Sequence, residues 1–102
     1  MKWEILDQVL IDFYQTGASR KLRLPEGIAR RFVERVNRID AAKNINDLRI
    51  PPSMRFESLK SRTDHFSIRL NDQYRLIFRI AFEDDEKLTG TVTILEISKH
   101  YE

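Results

Sequence analysis

The fold is decided by residues 66–82, which read FSIRLNDQYRLIFRIAF. On both sides of Asn71-Asp72 the apolar residues fall at every second position, and Asn and Asp are favoured turn residues. A period of two predicts β-strands that bury one face. The stretch therefore predicts two antiparallel strands joined by a tight turn. The face opposite the apolar residues carries Ser67, Arg69, Arg75, Ile77 and Arg79.

The chain after this hairpin predicts one more strand. Glu83 to Lys87 forms an acidic hairpin loop, and Thr91 to Ile97 is rich in the β-branched residues that favour strands. His100 and Tyr101 follow at the end of that strand. By alternation, the residues that share faces are His100 with Ser98 and Glu96, and Tyr101 with Leu95 and Ile97.

The chain before the hairpin predicts helices. A helix is expected to begin at Pro25, which suits a first helical position, and to run to about Ala42. A short helical turn is expected around Asn46-Asp47-Leu48, and Pro51-Pro52 then stops the helix and forces extended chain. The long helix has one apolar stripe, formed by Ile28, Phe32, Val36 and Ile39.

A shorter helix precedes it, with Asp7 as the N-cap and Gly17 at its end, after a short strand at residues 2–6. Helices first and consecutive antiparallel strands afterwards indicate the α+β class, with the helices on one face of a curved, mainly antiparallel sheet. The length of 102 residues favours one domain over residues 1–102.

The composition excludes several classes of protein. Cysteine is absent, which removes disulfides, thiol nucleophiles and cysteine–metal sites and is typical of a reducing cytosol. No apolar run is long enough to span a membrane, and residues 1–4 do not resemble a secretory signal. We therefore expect a cytoplasmic protein without a membrane partner.

Charge is unevenly distributed, although the formal net charge is only +2. Acidic residues are concentrated at 83–86, and basic residues form two groups. Such groups fit a surface that meets phosphate or an acidic protein, and they also fit solvated arginines on helix and strand faces. The two groups are Arg20, Lys21, Arg23, Arg30, Arg31, Arg35 and Arg38, and then Arg55, Lys60, Arg62, Arg69, Arg75 and Arg79.

The candidate chemistry lies on the strands. His65 and His100 have no metal-like spacing, so neither a metal nor another cofactor is expected. Lys60, Arg69 and Arg75, together with the His100-Tyr101 pair, would converge on one concave face if the strands pair in chain order. Such a set suits RNA cleavage without metal, because cations stabilise phosphoryl oxygens and His transfers protons near neutrality. The alternative is that Arg69 and Arg79 form ion pairs with surface acids and that the His100-Tyr101 end of the chain is simply frayed.

The same residues resemble the HigB-type toxins of the RelE/ParE superfamily. The resemblance is most specific in Ser67–Phe78, which is similar to their S-I-R-x-N-x-Q-x-R-x-x-F block. Weaker pieces cover nearly the whole chain: Phe13–Gly17, Arg38–Lys43, Asp47–Pro52, Arg55–Lys60 and Leu95–Ile97 with the His/Tyr ending.

This resemblance implies a compact RelE-like toxin that enters the ribosomal A site and cuts mRNA there by 2′-hydroxyl attack. It implies a HigA-like helix-turn-helix antitoxin, contact with operator DNA only through that antitoxin, and a toxin that is monomeric alone. By position, the resemblance implies catalytic roles for Lys60, Arg75, His100, Tyr101 and Glu57. It implies RNA-binding roles for Arg55, Arg69 and Arg79.

Two departures from the family pattern leave alternatives open. Many members end in Asp-Tyr-His, whereas this chain has Lys99-His100-Tyr101-Glu102, and many carry His where this chain has Glu57. Which of Glu57, His100 and Tyr101 transfers protons is therefore open, and Glu57 fits a base or an ion-pair partner equally well. A ParE-like inhibitor of DNA gyrase and a non-catalytic member that binds RNA or an antitoxin are the alternative functions.

Overall fold

The computed structural model describes residues 1–19 and 21–99. Two α-helices pack on one face of a five-stranded sheet whose order is β1-β5-β4-β3-β2. Strand β1 lies parallel to β5, and the other neighbours are antiparallel, so the predicted α+β class is confirmed. The elements are β1 (Lys2–Ile5), α1 (Gln8–Thr16), α2 (Ile28–Ala41), 3₁₀ helices at Ile45–Arg49 and Pro52–Met54, β2 (Glu57–Ser58), β3 (His65–Arg69), β4 (Tyr74–Phe82) and β5 (Gly90–Lys99).

Helix α1 has the boundaries that its sequence predicts. The Asp7 carboxylate accepts hydrogen bonds from the backbone N–H groups of Val9 and Leu10, which satisfies two donors of the first turn. At the other end Gly17 takes a left-handed conformation with φ +74°, and its N–H donates to the Phe13 carbonyl.

Helix α2 begins three residues later than predicted. Pro25 lies in a turn that the Ile28 N–H closes by donating to the Pro25 carbonyl, and Gly27 at φ +91° is the N-cap. A left-handed residue interrupts the helical path, so a helix cannot run through Gly27 from Pro25. The predicted stripe is confirmed, since Phe32, Val36 and Ile39 are completely buried.

The core lies between that stripe and one face of the sheet. Ile68, Leu76 and Phe78 meet the helices and are also completely buried. Each such side chain contributes about 1.5–3 kcal/mol by leaving water, so this layer supplies most of the cohesion between helices and sheet.

The predicted β3–β4 hairpin is confirmed in position and register. Arg69 lies opposite Arg75, and the Asn71 side chain accepts hydrogen bonds from the Gln73 and Tyr74 N–H groups, both at 2.8 Å. Before the hairpin, the expectation of extended chain after Pro51-Pro52 is wrong for Pro52, which opens the second 3₁₀ helix. The fixed φ of proline is compatible with a first helical turn.

Strand β5 contains a bulge that the sequence does not predict. Ile77 pairs with Glu96 but the next residue, Phe78, pairs with Ile94, so Leu95 has no partner on β4. The alternation of faces along β5 is therefore reversed beyond Leu95. Glu96 and Ser98 do share a face, as predicted; His100 and Tyr101 lie outside the described residues.

Candidate functional site

A cavity of about 320 Å³ opens on the sheet face away from the helices, and we call it the sheet cavity. Cross-strand partners build it, because residues paired across a sheet point to the same face. One row runs Glu57–Ser67–Ile77–Glu96 across four strands, and the next runs Arg69–Arg75–Ser98. The cavity is lined by Glu57, Leu59, Ser61, Arg62, Ser67, Arg75, Ile77, Glu96, Ser98 and Lys99.

Arg75 is the central cation of the sheet cavity. Its Nη1 atom is buried and has no hydrogen-bond partner among residues 1–19 and 21–99. A buried charged donor without such a partner costs free energy. An anion bound in the cavity would remove that cost, since guanidinium groups bind phosphate through charge-assisted hydrogen bonds.

Arg69 lies on the neighbouring strand but lines a different cavity. Its guanidinium contacts Asp72 in the turn, and its carbonyl accepts a hydrogen bond of 2.8 Å from Arg35 Nε. A groove of about 390 Å³ opens here between α2 and the β3–β4 turn, and we call it the helix-side groove. It is lined by Arg31, Arg35, Ser53, Arg69, Leu70, Asn71 and Asp72.

Arg35 is a functional candidate that the sequence pattern indicated only as one member of a basic group. It is 7% exposed, and its Nη1 contacts the Glu34 carboxylate at 2.8 Å. Burial lowers the pKa of Arg35, and the Glu34 carboxylate opposes that shift. A signal was present, because Arg35 lies three residues after Phe32 and four before Ile39, within the apolar stripe.

The structure does not bring Lys60, Arg69 and Arg75 into one cavity. Of the predicted site residues that it describes, Glu57 and Arg75 line the sheet cavity and Arg69 lines the helix-side groove. Lys60 is exposed and lies outside both linings, although its successors Ser61 and Arg62 belong to the sheet cavity. Convergence fails for Lys60 because β2 ends at Ser58, so strand alternation does not direct its side chain.

Two predicted RNA-binding residues also lie outside the two linings. Arg55 is exposed at the end of the second 3₁₀ helix, where it has a left-handed φ of +48°. Arg79 is exposed on β4 between His65 and Thr93, farther along the same face as Arg75. His100 and Tyr101, which follow Lys99 of the lining, are outside the described residues.

The sheet cavity also contains residues that the prediction did not assign to a site: Arg62, Ser67, Glu96, Ser98 and Lys99. Alternation in the predicted hairpin was enough to find Ser67, which is buried beside Ile77. Glu96 required knowledge of the bulge, and Arg62 lies in a loop without a periodic signal. Within the described part of the chain, no three His, Asp or Glu residues are grouped as metal ligands would be.

Comparison with protein families identifies the family of the chain. The model of the HigB-like toxin family, described as the RelE-like toxin of type II toxin-antitoxin system HigB, matches residues 3–96. The chain belongs to the HigB-like toxin family. It is thus a type II toxin, a class of protein that acts with an antitoxin partner.

Individual proteins are also similar to this HigB-like toxin. Toxin HigB-1 of Vibrio cholerae is 40% identical over 80 residues, which cover 78% of this chain and 83% of that protein. An uncharacterized protein of Haemophilus influenzae is 37% identical over 81 residues, covering 78% and 77%. The solved YoeB/ParE toxin from Agrobacterium tumefaciens has a TM-score of 0.54 at 17% identity, covering 99% of this chain and 100% of its own, and shares the fold. No described helix of the toxin is long and apolar enough to cross a membrane.

Proposed function

We propose that this HigB-like toxin is a ribosome-dependent endoribonuclease that cuts mRNA in the ribosomal A site. The observation that carries the proposal is the buried Nη1 of Arg75, which has no partner among the described residues, in a cavity that also holds the Glu57 and Glu96 carboxylates. A phosphate-sized anion is the natural partner for such a donor, and a neighbouring carboxylate offers a proton acceptor.

The proposed reaction is an attack of the ribose 2′-hydroxyl oxygen on the adjacent phosphorus. The O2′–P bond forms, the P–O5′ bond breaks, and the products are a 2′,3′-cyclic phosphate and a 5′-hydroxyl. Negative charge grows on the phosphoryl oxygens during this step, so Arg75 is the residue that stabilises the transition state. His100, Tyr101 and Glu57 are the proposed proton-transferring and orienting groups, and Lys60 is an additional cation beside the site.

The helix-side groove extends the proposed RNA path. Arg31, Arg35 and Arg69 supply three cations there, and Asp72 is the single acid of its lining. Arg69 of the helix-side groove and Arg75 of the sheet cavity are cross-strand neighbours. An RNA strand bound at Arg75 would therefore reach the helix-side groove within one strand spacing. Arg55 and Arg79 are proposed to contact RNA outside the two cavities. The proposed partners are the ribosome and a HigA-like antitoxin, which alone contacts operator DNA.

Inducing the toxin in growing cells tests this function. Primer extension on a translated mRNA is expected to show cuts in register with codons, and none on the same mRNA without a start codon. Arg75→Ala should lower cleavage about 10²–10³-fold, the usual cost of one transition-state donor, with partial recovery in Arg75→Lys. Lys43→Ala, an exposed substitution beyond the end of α2, is the matched control and should cleave normally.

Two outcomes would contradict the proposal. Toxicity without codon-linked cuts, accompanied by a DNA-damage response, would support inhibition of gyrase instead. Harmless overproduction of the lone toxin would support a non-catalytic member.

A further inference from the structure

The β5 bulge determines which way Glu96 points. Simple alternation along β5 would place Glu96 on the face of Val92 and Ile94, which are buried beneath the helices. Because Leu95 is the extra residue, Glu96 instead pairs with Ile77 and lies in the sheet cavity. Bulges often redirect a side chain next to a functional site, and here the redirected side chain is a carboxylate.

Glu96 is the carboxylate nearer to Arg75. It lies on the adjacent strand, diagonal to Arg75, and diagonal neighbours in a sheet are about 7–8 Å apart. Glu57 is two strands away from β4 on the other side. At about 5 Å per strand, Glu57 and Glu96 are roughly 14 Å apart across the row, so a phosphate at Arg75 lies closer to Glu96.

The Glu96 carboxylate is also available for chemistry. Its side chain is exposed, and within the described ranges 1–19 and 21–99 it forms neither an ion pair nor a side-chain hydrogen bond. Structural carboxylates in this protein behave differently: Asp7 caps a helix, Asp84 binds backbone N–H groups, and Glu4 accepts from Thr93. Glu96 has no comparable structural role.

We infer that Glu96 is a catalytic residue whose carboxylate accepts the proton of the attacking 2′-hydroxyl. This inference rests on the proposed function and deepens it. The proton moves from O2′ to a Glu96 oxygen as the O2′–P bond forms. The P–O5′ bond breaks with its electron pair on O5′, which takes a proton from solvent or from an acid of the site. Glu57, one of the proposed proton-transferring and orienting groups, then acts as an orienting group of the same cavity.

The charged groups that face Glu96 come from every element around it. Glu57 and Arg62 approach from the β2 side, Arg75 from β4, and Lys99 from its own strand. On its other side Glu96 also borders a groove that contains Asp7 and Lys21. Because several charged groups surround Glu96, the test compares variants of the toxin at one pH.

Single-turnover cleavage of mRNA on purified ribosomes tests the role of Glu96. Glu96→Gln should lower the cleavage rate about 10²–10⁴-fold, the usual contribution of a general base. Glu96→Asp should restore part of the rate. Glu57→Gln should lower the rate less than Glu96→Gln, and Glu83→Gln on the acidic loop should behave like the unmodified toxin.

A separate readout distinguishes catalysis from folding or binding. Affinity for ribosomes carrying an mRNA with a 2′-deoxy residue at the cleaved position should stay within about 3-fold in Glu96→Gln, since the base acts on a group that this RNA lacks. Cleavage by Glu96→Gln at nearly the normal rate, or a loss that follows binding, would overturn the inference. Absence of cleavage by the unmodified toxin would contradict the proposed function instead.

Discussion

Arg35 is a buried residue that joins helix α2 to strand β3. Its guanidinium reaches both the Arg69 carbonyl and the Glu34 carboxylate, so it fixes the end of β3 against α2. Glu34 is half exposed, so water still hydrates its carboxylate when Arg35 is replaced. The main loss on replacement is therefore the hydrogen bond that Arg35 donates to the Arg69 carbonyl.

We predict that Arg35→Lys destabilises the toxin more than Arg35→Met. A buried lysine keeps a charge that water would hydrate strongly, but it lacks the planar guanidinium that donates to two acceptors at once. We expect Arg35→Lys to lower the free energy of unfolding by about 2–3 kcal/mol. Methionine fills a similar volume without the buried charge, so its cost should be about 1 kcal/mol. Urea unfolding followed by circular dichroism measures both, and an equal or reversed order would contradict the assignment.

At the scale of elements, the β4–β5 loop depends on one carboxylate. Asp84 accepts hydrogen bonds from the N–H groups of Thr89 and Leu88 at 3.0 Å. The Thr89 bond is the first of several backbone contacts that hold the pKa of Asp84 below its ordinary value of 3.8. The loop is therefore ordered by the ionised carboxylate.

We predict that this contribution disappears in acid. A carboxyl group with a lowered folded-state pKa stabilises fully above its unfolded value and loses the effect as the pH falls through the folded-state value. Asp84→Asn should lower the unfolding temperature at pH 7, and the gap to the unmodified toxin should narrow below about pH 3.8. Thermal scans at several pH values check this, with the exposed Asp85→Asn as the control. A gap independent of pH would exclude the carboxylate as its cause.

Some of these elements were predictable from the sequence and others were not. The β3–β4 hairpin was predictable because apolar residues alternate along both strands and Asn71 is a favoured turn residue between them. Helix α1 was predictable because Asp7 is a favoured N-cap and Gly17 is a favoured C-cap. The β5 bulge was not predicted, because a bulge is established by pairing with the partner strand; its trace in the sequence is the shift of apolar residues from Val92 and Ile94 to Leu95 and Ile97. Strand β2, with two residues, is too short to have a period, so the location of Glu57 on the sheet was missed.

At the scale of the whole molecule, basic and acidic residues lie at opposite ends of the sheet. Arg69 and Arg75 lie at the turn end of β3 and β4, and the acidic loop lies beyond Phe82 at the other end. Nine residues of β4 separate the two ends by nearly 30 Å, in a molecule 41 Å long. This polarity, rather than the net charge of +2, would orient the toxin on a polyanion.

We predict a salt-dependent affinity of the toxin for ribosomes that is determined by the cationic end. Arg31→Ala in the helix-side groove should reduce the slope of log affinity against log salt by about 1, as expected for one phosphate contact. Lys87→Ala at the opposite end, which removes only an ion pair with Asp64, should leave the slope unchanged. Equal slopes in all three proteins would show that the groove does not meet RNA.

The parallel pairing of β1 with β5 has a consequence for biosynthesis. Glu4 and its hydrogen-bond partner Thr93 are 89 residues apart, so the first strand leaves the ribosome long before its only neighbour in the sheet exists. Closing so long a loop is entropically costly and slow, and it must await β5. The nascent toxin therefore lacks β5, the strand between β1 and β4, until translation has passed residue 99, and with it Glu96, Ser98 and Lys99 of the sheet cavity.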